Sequence, residues 1–458
     1  MKINNTYDII LLKDVIILKQ FIKVCEAILF IFFLVLIPFL TNKLSTIISL
    51  LIIVVFYLLE KKISIKHYSL FLFLLALVIR IITTFTLKVS IVDDFKTMLD
   101  ASRLLLKGNT SFINSFYFKM FPYQLGHVLY QTSLLKIINS TIFLKIINSI
   151  ITSLIVVFIY LITKNIFKEE TARKVSLLYI LYLYPLYLNS VLTNQHLPAL
   201  LVLISIYLFI KKPNNYKTII LVGLILSISN VFRSESIIIV LGLVVFLILS
   251  STKKNIKSNS INIIILITVY FLSQFTFSTL LEISPLNTRF QNNVPYWKFY
   301  CGLSDKHNGI FNEDDQAVFF NSNKQKELLI ERINKDKFKF PKLFLKKEVI
   351  LWTQTNYDLR INNKLNQNIY SFLLNFNQGF LNILILLSVI TLFPYKEKTN
   401  DKVLLIKIIL FIYYGIYMFI EISPRYAYIL HILLFLIIGI SIERINDIIK
   451  KRCKHAKI

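Results

Sequence analysis

Glycine, cysteine and acidic side chains are all scarce in this chain of 458 residues. Nine glycines supply neither a G-x-G-x-x-G nor a Walker lysine motif, so the backbone cradles that hold nucleotide phosphates are not expected. The three cysteines, Cys25, Cys301 and Cys453, fall in a hydrophobic run, a polar segment and a basic tail, which excludes a disulfide framework within the chain. Six scattered histidines form no local zinc cluster, so no structural metal is expected. Residues Met1–Gln20 carry Asp8, Lys13, Asp14 and Lys19 with no small-residue cleavage site, which argues against a cleavable signal peptide. Acidic residues number 25 against 52 Lys and Arg, leaving a net charge of +27.

What the chain has in plenty is apolar sequence. Hydrophobic residues make up 56%, charged residues only 17%, and the mean hydropathy is +0.65, which predicts an all-α polytopic membrane protein. About twelve spans are expected (11–13): Lys23–Leu40, Leu44–Leu59, Tyr68–Val89, Ile142–Ile162, Val175–Val191, Leu197–Ile210, Thr218–Val231, Ser236–Leu249, Ile261–Leu281, Phe380–Phe393, Val403–Ile420 and Tyr426–Ile442. The sixth, seventh, eighth and tenth fall short of the ~20 residues that a straight crossing needs. Residues 8–18, DIILLKDVIIL, read as an amphipathic helix lying on the membrane. The division expected is a cytoplasmic N terminus over 1–22, a transmembrane core over 23–281, an extracytoplasmic insert over 282–379, further spans over 380–443 and a basic tail over 444–458.

Orientation follows from the basic residues. With the N terminus in the cytoplasm, the inner segments carry 25 Lys and Arg, and the short outer turns only Lys43, Arg233 and Arg425. Both termini are then cytoplasmic in a cell membrane. The surplus charge is topogenic, attracted to anionic lipid, and calls for no nucleic-acid partner. Two long segments fall on the outer face, 90–141 and 282–379, and both are expected to carry interfacial helices. The first has FYFKMFPYQLGHVLYQTSLLKII (116–138), aromatic and apolar with scattered charge, suited to helices half-sunk in the interface. The second carries 14 basic and 10 acidic residues, and its stretch 324–348 has the apolar spacing of one or two interfacial helices.

Chemistry is sought on that face. Asp93 and Asp94 sit together just past the third span, where mutual repulsion favours a raised pKa on one of them. Such a pair can offer one ionised group to a proton or a cation. Further ionisable residues mark other span exits: Arg233 and Glu235 in NVFRSES, Glu282, and Glu421 with Arg425 in EISPRYAY. Arg80 lies in mid-span, where a guanidinium needs a partner or a wet cavity. An ion pair with another span and a ligand contact are both open there.

These features, in this order, resemble the GT-C glycosyltransferases, in the branch of the protein O-mannosyltransferases and the lipid A aminoarabinose transferase. The matching residues are VDDF (92–95) at the start of the first long outer loop, the paired stretches PLYLNSVLTNQHLPALLVLISIYLFI (185–210) and GLILSISNVFRSESIIIVLGL (223–243), and EISPRYAY (421–428) before the last span. Within the insert, VPYWKFYCGLSDKHNGIFNEDD (294–315) and LKKEVILWTQTNYD (345–358) are similar to a Gram-positive subset that uses polyprenyl-phosphate sugars. Two spans precede the one leading to the acidic pair, and Asn194-Gln195-His196 stands where the family usually has Glu near the fifth-to-sixth turn. The resemblance implies a transferase with Asp93 or Asp94 as its base, Asp94 preferred because the family places its better-attested acid second.

Physical chemistry narrows the reaction in the same direction. An outer-face transferase has no nucleotide-sugar pool, so its activated group must arrive on a membrane carrier, and a polyprenyl phosphate supplies both anchor and leaving group. The carrier's phosphate needs cations at the membrane surface, where Arg425 and Arg233, with Tyr426 beside them, stand at the right depth. One base acting by direct displacement inverts the anomeric carbon; a double displacement needs two carboxylates ~5–5.5 Å apart with one as nucleophile. Acceptor binding or loop ordering is assigned to Glu235, Glu421, Trp297, Glu313 and Asp314. The expectation is an inverting glycosyltransferase acting on an extracytoplasmic glycan, glycolipid or cell-envelope polymer; the sequence specifies no cofactor and leaves a divalent cation open. The competing readings are a capsule-type polysaccharide polymerase and a transporter of polyprenyl-linked glycans.

Overall fold

A computed structural model describes residues 20, 23–40, 42–60, 65–87, 89–252, 254–312, 318, 321–353, 367–393 and 401–455. It is 82% helical with no strand among the described residues, so the fold is all-α. Helix α1 spans 23–36, followed by α2 (Lys43–Glu60), α3 (Tyr68–Thr86) and α4 (Asp93–Leu106). The short α5 (Phe116–Met120) leads to α6 (Leu125–Ile137), α7 (Thr141–Ile166), α8 (Glu169–Leu181) and α9 (Tyr184–Ser190). Then come α10 (His196–Lys211), α11 (Tyr216–Phe232), α12 (Ser236–Leu249) and α13 (Ile256–Ile283). The insert holds α14 (Trp297–Gly302), α15 (Ser322–Asp336) and α16 (Phe340–Thr353), and the chain ends in α17 (Gln367–Leu392), α18 (Asp401–Phe419), α19 (Ala427–Ile437) and α20 (Gly439–His455).

Six helices among the described residues are long and apolar enough to cross a membrane, and a seventh if the pair Lys23–Phe39 and Lys43–Val55, bent by 117°, makes one span. Three expected spans appear as the shorter apolar helices α10, α11 and α12. The run Val175–Val191, expected as one span, is broken between α8 and α9. Pro185 is the cause: it has no amide hydrogen, so it is tolerated only in the first turn of a new helix, where it lies in α9. Helix α17 begins well before Phe380, because Asn377 and Gln378 ahead of that point are accommodated inside. Asn377 is fully buried and Ser49 Oγ donates to the Phe376 carbonyl at 3.1 Å, while the exposed Asn375 Oδ1 accepts from Asn42 Nδ2 at 2.6 Å. The amphipathic reading of 8–18 lies outside the described residues.

Packing follows the apolar patterns. In α3 the buried residues Tyr68, Leu72, Ala76, Arg80 and Thr84 recur every fourth position, one stripe laid against α7. Helix α19 is buried along its whole length, the centre about which α7, α8, α17 and α18 assemble. By contrast α13 leaves Ile264, Phe271, Leu272 and Phe275 exposed, an apolar face suited to lipid. The stripe on α3 carries Arg80 into the interior, where its Nε donates to Thr152 Oγ1 at 3.0 Å and one Nη to the Ala76 carbonyl at 3.3 Å. These partners are a hydroxyl and a backbone oxygen rather than a carboxylate.

Candidate active site

The two acidic residues open α4. Val92 is extended, and Asp93 and Asp94 occupy the first helical turn, where unpaired amides and the helix dipole favour negative charge. Asp93 has φ of 51°, a left-handed conformation that costs a non-glycine residue energy and turns the chain sharply into the helix. The two carboxylates end in different surroundings. Asp93 is exposed, whereas Asp94 is half-buried and accepts a hydrogen bond from Arg425 Nη2 at 2.8 Å. A contact spanning 331 sequence positions thus joins the acidic pair to EISPRYAY, between α18 and α19.

Around Tyr426 in that turn the other exit charges gather. The Arg233 guanidinium lies 5.3 Å from the centre of its ring, the Lys298 ammonium 5.5 Å and the Arg425 guanidinium 5.9 Å. Arg233 pairs with Glu235 at 2.5 Å and donates to Asn194 Oδ1 at 3.1 Å. Burial works against the Arg233 charge, but the Glu235 carboxylate outweighs it and holds the guanidinium firmly protonated. Glu421 is pushed above the usual carboxylate range by burial, against the pull of Lys298 and Arg425. The Lys298 ammonium is pulled down by burial, while Glu421 opposes that shift. Tyr117 and Tyr123 come in from the first loop; burial holds both phenols neutral, with Asp94 adding to the effect at Tyr117 and Tyr426 and Glu421 at Tyr123. Both are therefore hydroxyl donors at physiological pH.

The turn before α10 fastens these parts together. Asn194 donates to Gln124 Oε1 at 2.9 Å as well as accepting from Arg233. Gln195 Nε2 donates to the Arg425 carbonyl at 2.7 Å, and His196 Nδ1 shares a hydrogen bond of 2.9 Å with the Tyr428 hydroxyl. The three residues that depart from the family pattern thus clamp the Arg233 and Arg425 segments.

The insert is fastened to the same turn from the other side. The Glu421 amide donates to the Lys298 carbonyl at 2.6 Å, and the Ile422 amide to the Gly309 carbonyl at 2.9 Å. A Cβ on Gly302 would lie 2.2 Å from the Ile420 carbonyl carbon, so only glycine allows α14 this close. Lys347 of α16 is fully buried and donates to three carbonyls, of Gly302, Met418 and Ile420, at 3.0, 2.7 and 2.7 Å. Beside it Glu348 accepts from Trp352 Nε1 at 2.6 Å, and burial raises its carboxyl to about 8.

Of the residues proposed from sequence, Asp93, Asp94, Arg233, Glu235, Glu421, Arg425 and Tyr426 meet at one end of the helices. Trp297, 2% exposed, packs with Met120, Val294, Tyr300 and Cys301 in the small core under the insert. Glu313 and Asp314 lie outside the described residues. Glu282 pairs with Arg289 at 2.7 Å, and neither takes part in the contacts around Tyr426. Lys298, Tyr117, Tyr123, Asn194 and Gln195 were not singled out as site residues. Signals were present for Lys298, directly after Trp297 in VPYWKF, and for Asn194 and Gln195, which stand where the family usually has Glu. Among the described residues no three His, Cys, Asp or Glu side chains converge as a metal site.

Residues 127–277, which run from α6 into α13, match the family model described as dolichyl-phosphate-mannose-protein mannosyltransferase. The match bears out the resemblance at the level of the GT-C superfamily, and it supports a mannosyltransferase-like glycosyltransferase with a membrane context. It takes in Arg233, Glu235 and the Asn194–His196 turn; the acidic pair, the insert and the Glu421–Arg425 turn lie outside it. No curated protein matches the chain.

Proposed function

We propose that this GT-C-type chain is an inverting glycosyltransferase, moving a sugar from a polyprenyl phosphate to a hydroxyl of a glycan or lipid on the extracytoplasmic face. The observation that carries the reading is the 2.8 Å contact between Asp94 and Arg425, a carboxylate and a guanidinium side by side at a helix end, which supports roles for them as base and phosphate ligand. The donor's phosphate draws Arg425 away from Asp94, and the released carboxylate takes the proton of the acceptor hydroxyl as its oxygen attacks the anomeric carbon. The bond from that carbon to the phosphate oxygen breaks, and polyprenyl phosphate leaves with the electron pair. General-base help of this sort contributes ~10²–10⁴-fold.

Arg425 is suited to the phosphate because its planar fork can bind two oxygens at once. Arg233 stays with Glu235 beside the Tyr426 ring. Asp93 supports the charge at the helix start, and Glu421 with Glu235 orients the acceptor. The family model's own description names a dolichyl-phosphate sugar as donor, which favours a polyprenyl carrier here. A transporter would need no base at this position, and a polymerase would rely on loop arginines rather than on an acid pair. The test is transfer from a synthetic polyprenyl-phosphate mannose in detergent. Release of polyprenyl phosphate together with a mannosylated product supports the reading, and binding without release favours the transporter.

A further inference from the structure

Three cations surround Tyr426, but they are not equally engaged. Arg233 is held by Glu235 and Asn194, and Arg425 by Asp94. Lys298 makes no ion pair and no side-chain hydrogen bond among the described residues, although it is half-buried beside the ring. A half-buried ammonium with no such partner among the described residues has three donors to offer a ligand. Its position is firmly set: the Lys298 carbonyl accepts from the Glu421 amide at 2.6 Å, and the preceding Trp297 is anchored in the core of the insert. The side chain therefore lies against the ring that Arg425 also adjoins, with no ion pair or side-chain hydrogen bond among the described residues.

The reaction supplies an anion that grows. A glycosyl phosphodiester carries one negative charge; when the bond from the anomeric carbon to oxygen breaks, the electron pair passes to the phosphate and leaves a monoester dianion. One cation that has exchanged a carboxylate for a phosphodiester balances the ground state, and a second is matched to the charge that develops at bond cleavage.

Resting on the transferase reading above, we propose that Lys298 is a further catalytic residue, binding the phosphate of the lipid donor together with Arg425 and stabilising it as leaving group. It comes from the insert, so the insert completes the donor site.

The test uses the full chain in detergent and the binding of farnesyl phosphate, a short monoester that mimics the leaving group, with farnesol and inorganic phosphate as controls. Lys298→Met is expected to weaken farnesyl phosphate about tenfold or more and Lys298→Arg by less than about threefold, from the loss or retention of one charged hydrogen bond. Farnesol should bind all variants alike. A Lys298→Met protein that binds farnesyl phosphate normally, while Arg425→Ala loses it, would overturn the role of Lys298 and leave the phosphate site standing. Normal binding in both variants would sink the phosphate site itself. Equal weakening of farnesol would reduce Lys298 to a support of the insert, and inorganic phosphate bound as tightly as farnesyl phosphate would overturn the assignment to a lipid-linked phosphate.

Discussion

Arg425 shows how one side chain can hold two roles in sequence. Paired with Asp94 at 2.8 Å, it keeps a half-buried carboxylate satisfied, yet the same guanidinium has the geometry to clasp a phosphate. Replacement by Lys keeps the charge and loses the fork, whereas Ala loses both. Arg425→Ala is expected to reduce donor use about tenfold or more beyond Arg425→Lys, read as kcat/KM for the lipid donor. Equal and near-normal values would return Arg425 to a snorkelling or topogenic role. Asp93→Asn should cost less than a tenth of what Asp94→Asn costs, since Asp93 is exposed and Asp94 is the carboxylate that faces Arg425. At this scale the sequence was informative about charges near span exits, because a charge at the end of an apolar run stands out. It marked Asn194 and Gln195 only as a departure from the family pattern; their contacts with Arg233 and with the distant Arg425 carbonyl are encoded in no local pattern.

Among the elements, the joint between the insert and the turn after α18 governs the site. It is built from a buried ammonium on three carbonyls and from a glycine with no room for a methyl group. Gly302→Ala should separate α14 from the 418–422 segment, raising protease sensitivity of the insert and lowering turnover while the helices stay inserted. An insert as resistant as wild type would mean that the joint tolerates expansion. Glu348 adds a pH dependence with a definite sign. Its carboxyl is raised to about 8 by burial, against an ordinary value of 4.5, so the folded form holds a proton that the unfolded chain gives up. Its contribution is complete below the unfolded value and is lost as pH rises through about 8. Glu348→Gln keeps an acceptor for Trp352 and cannot ionise, so thermal melts between pH 5 and 9 should fall less steeply with pH than those of wild type. Identical slopes would contradict a neutral Glu348.

Hydrophobic periodicity exposed most of the long helices, since a lipid-facing helix must be apolar throughout; it blurred where Pro185 breaks a run and where α17 buries Asn377 within the protein. The aromatic and apolar stretch 116–138 showed itself as helical and carries α5 and α6, whereas the short α14 was not legible, because it is held by packing rather than by a pattern of its own.

For the whole molecule, the account requires the insert and the acidic pair to share the face opposite the 251–255 turn. Phe338, 87% exposed between α15 and α16 of the insert, offers a place to ask. With the native cysteines replaced, Phe338→Cys should react with a membrane-impermeant maleimide on intact cells, and a cysteine in the 251–255 turn should react only after lysis. The reverse pattern would remove the argument for a lipid-linked donor. The central claim is the base, and one assay addresses it directly. Purified wild-type protein and Asp94→Asn are supplied with a synthetic polyprenyl-phosphate mannose and a hydroxyl acceptor, and polyprenyl phosphate release is followed beside thermal stability. Asn is nearly isosteric with Asp but takes no proton at neutral pH, so the account predicts release slowed by ~10²-fold or more in a protein that melts like wild type. Release at the wild-type rate from a well-folded Asp94→Asn protein would contradict it.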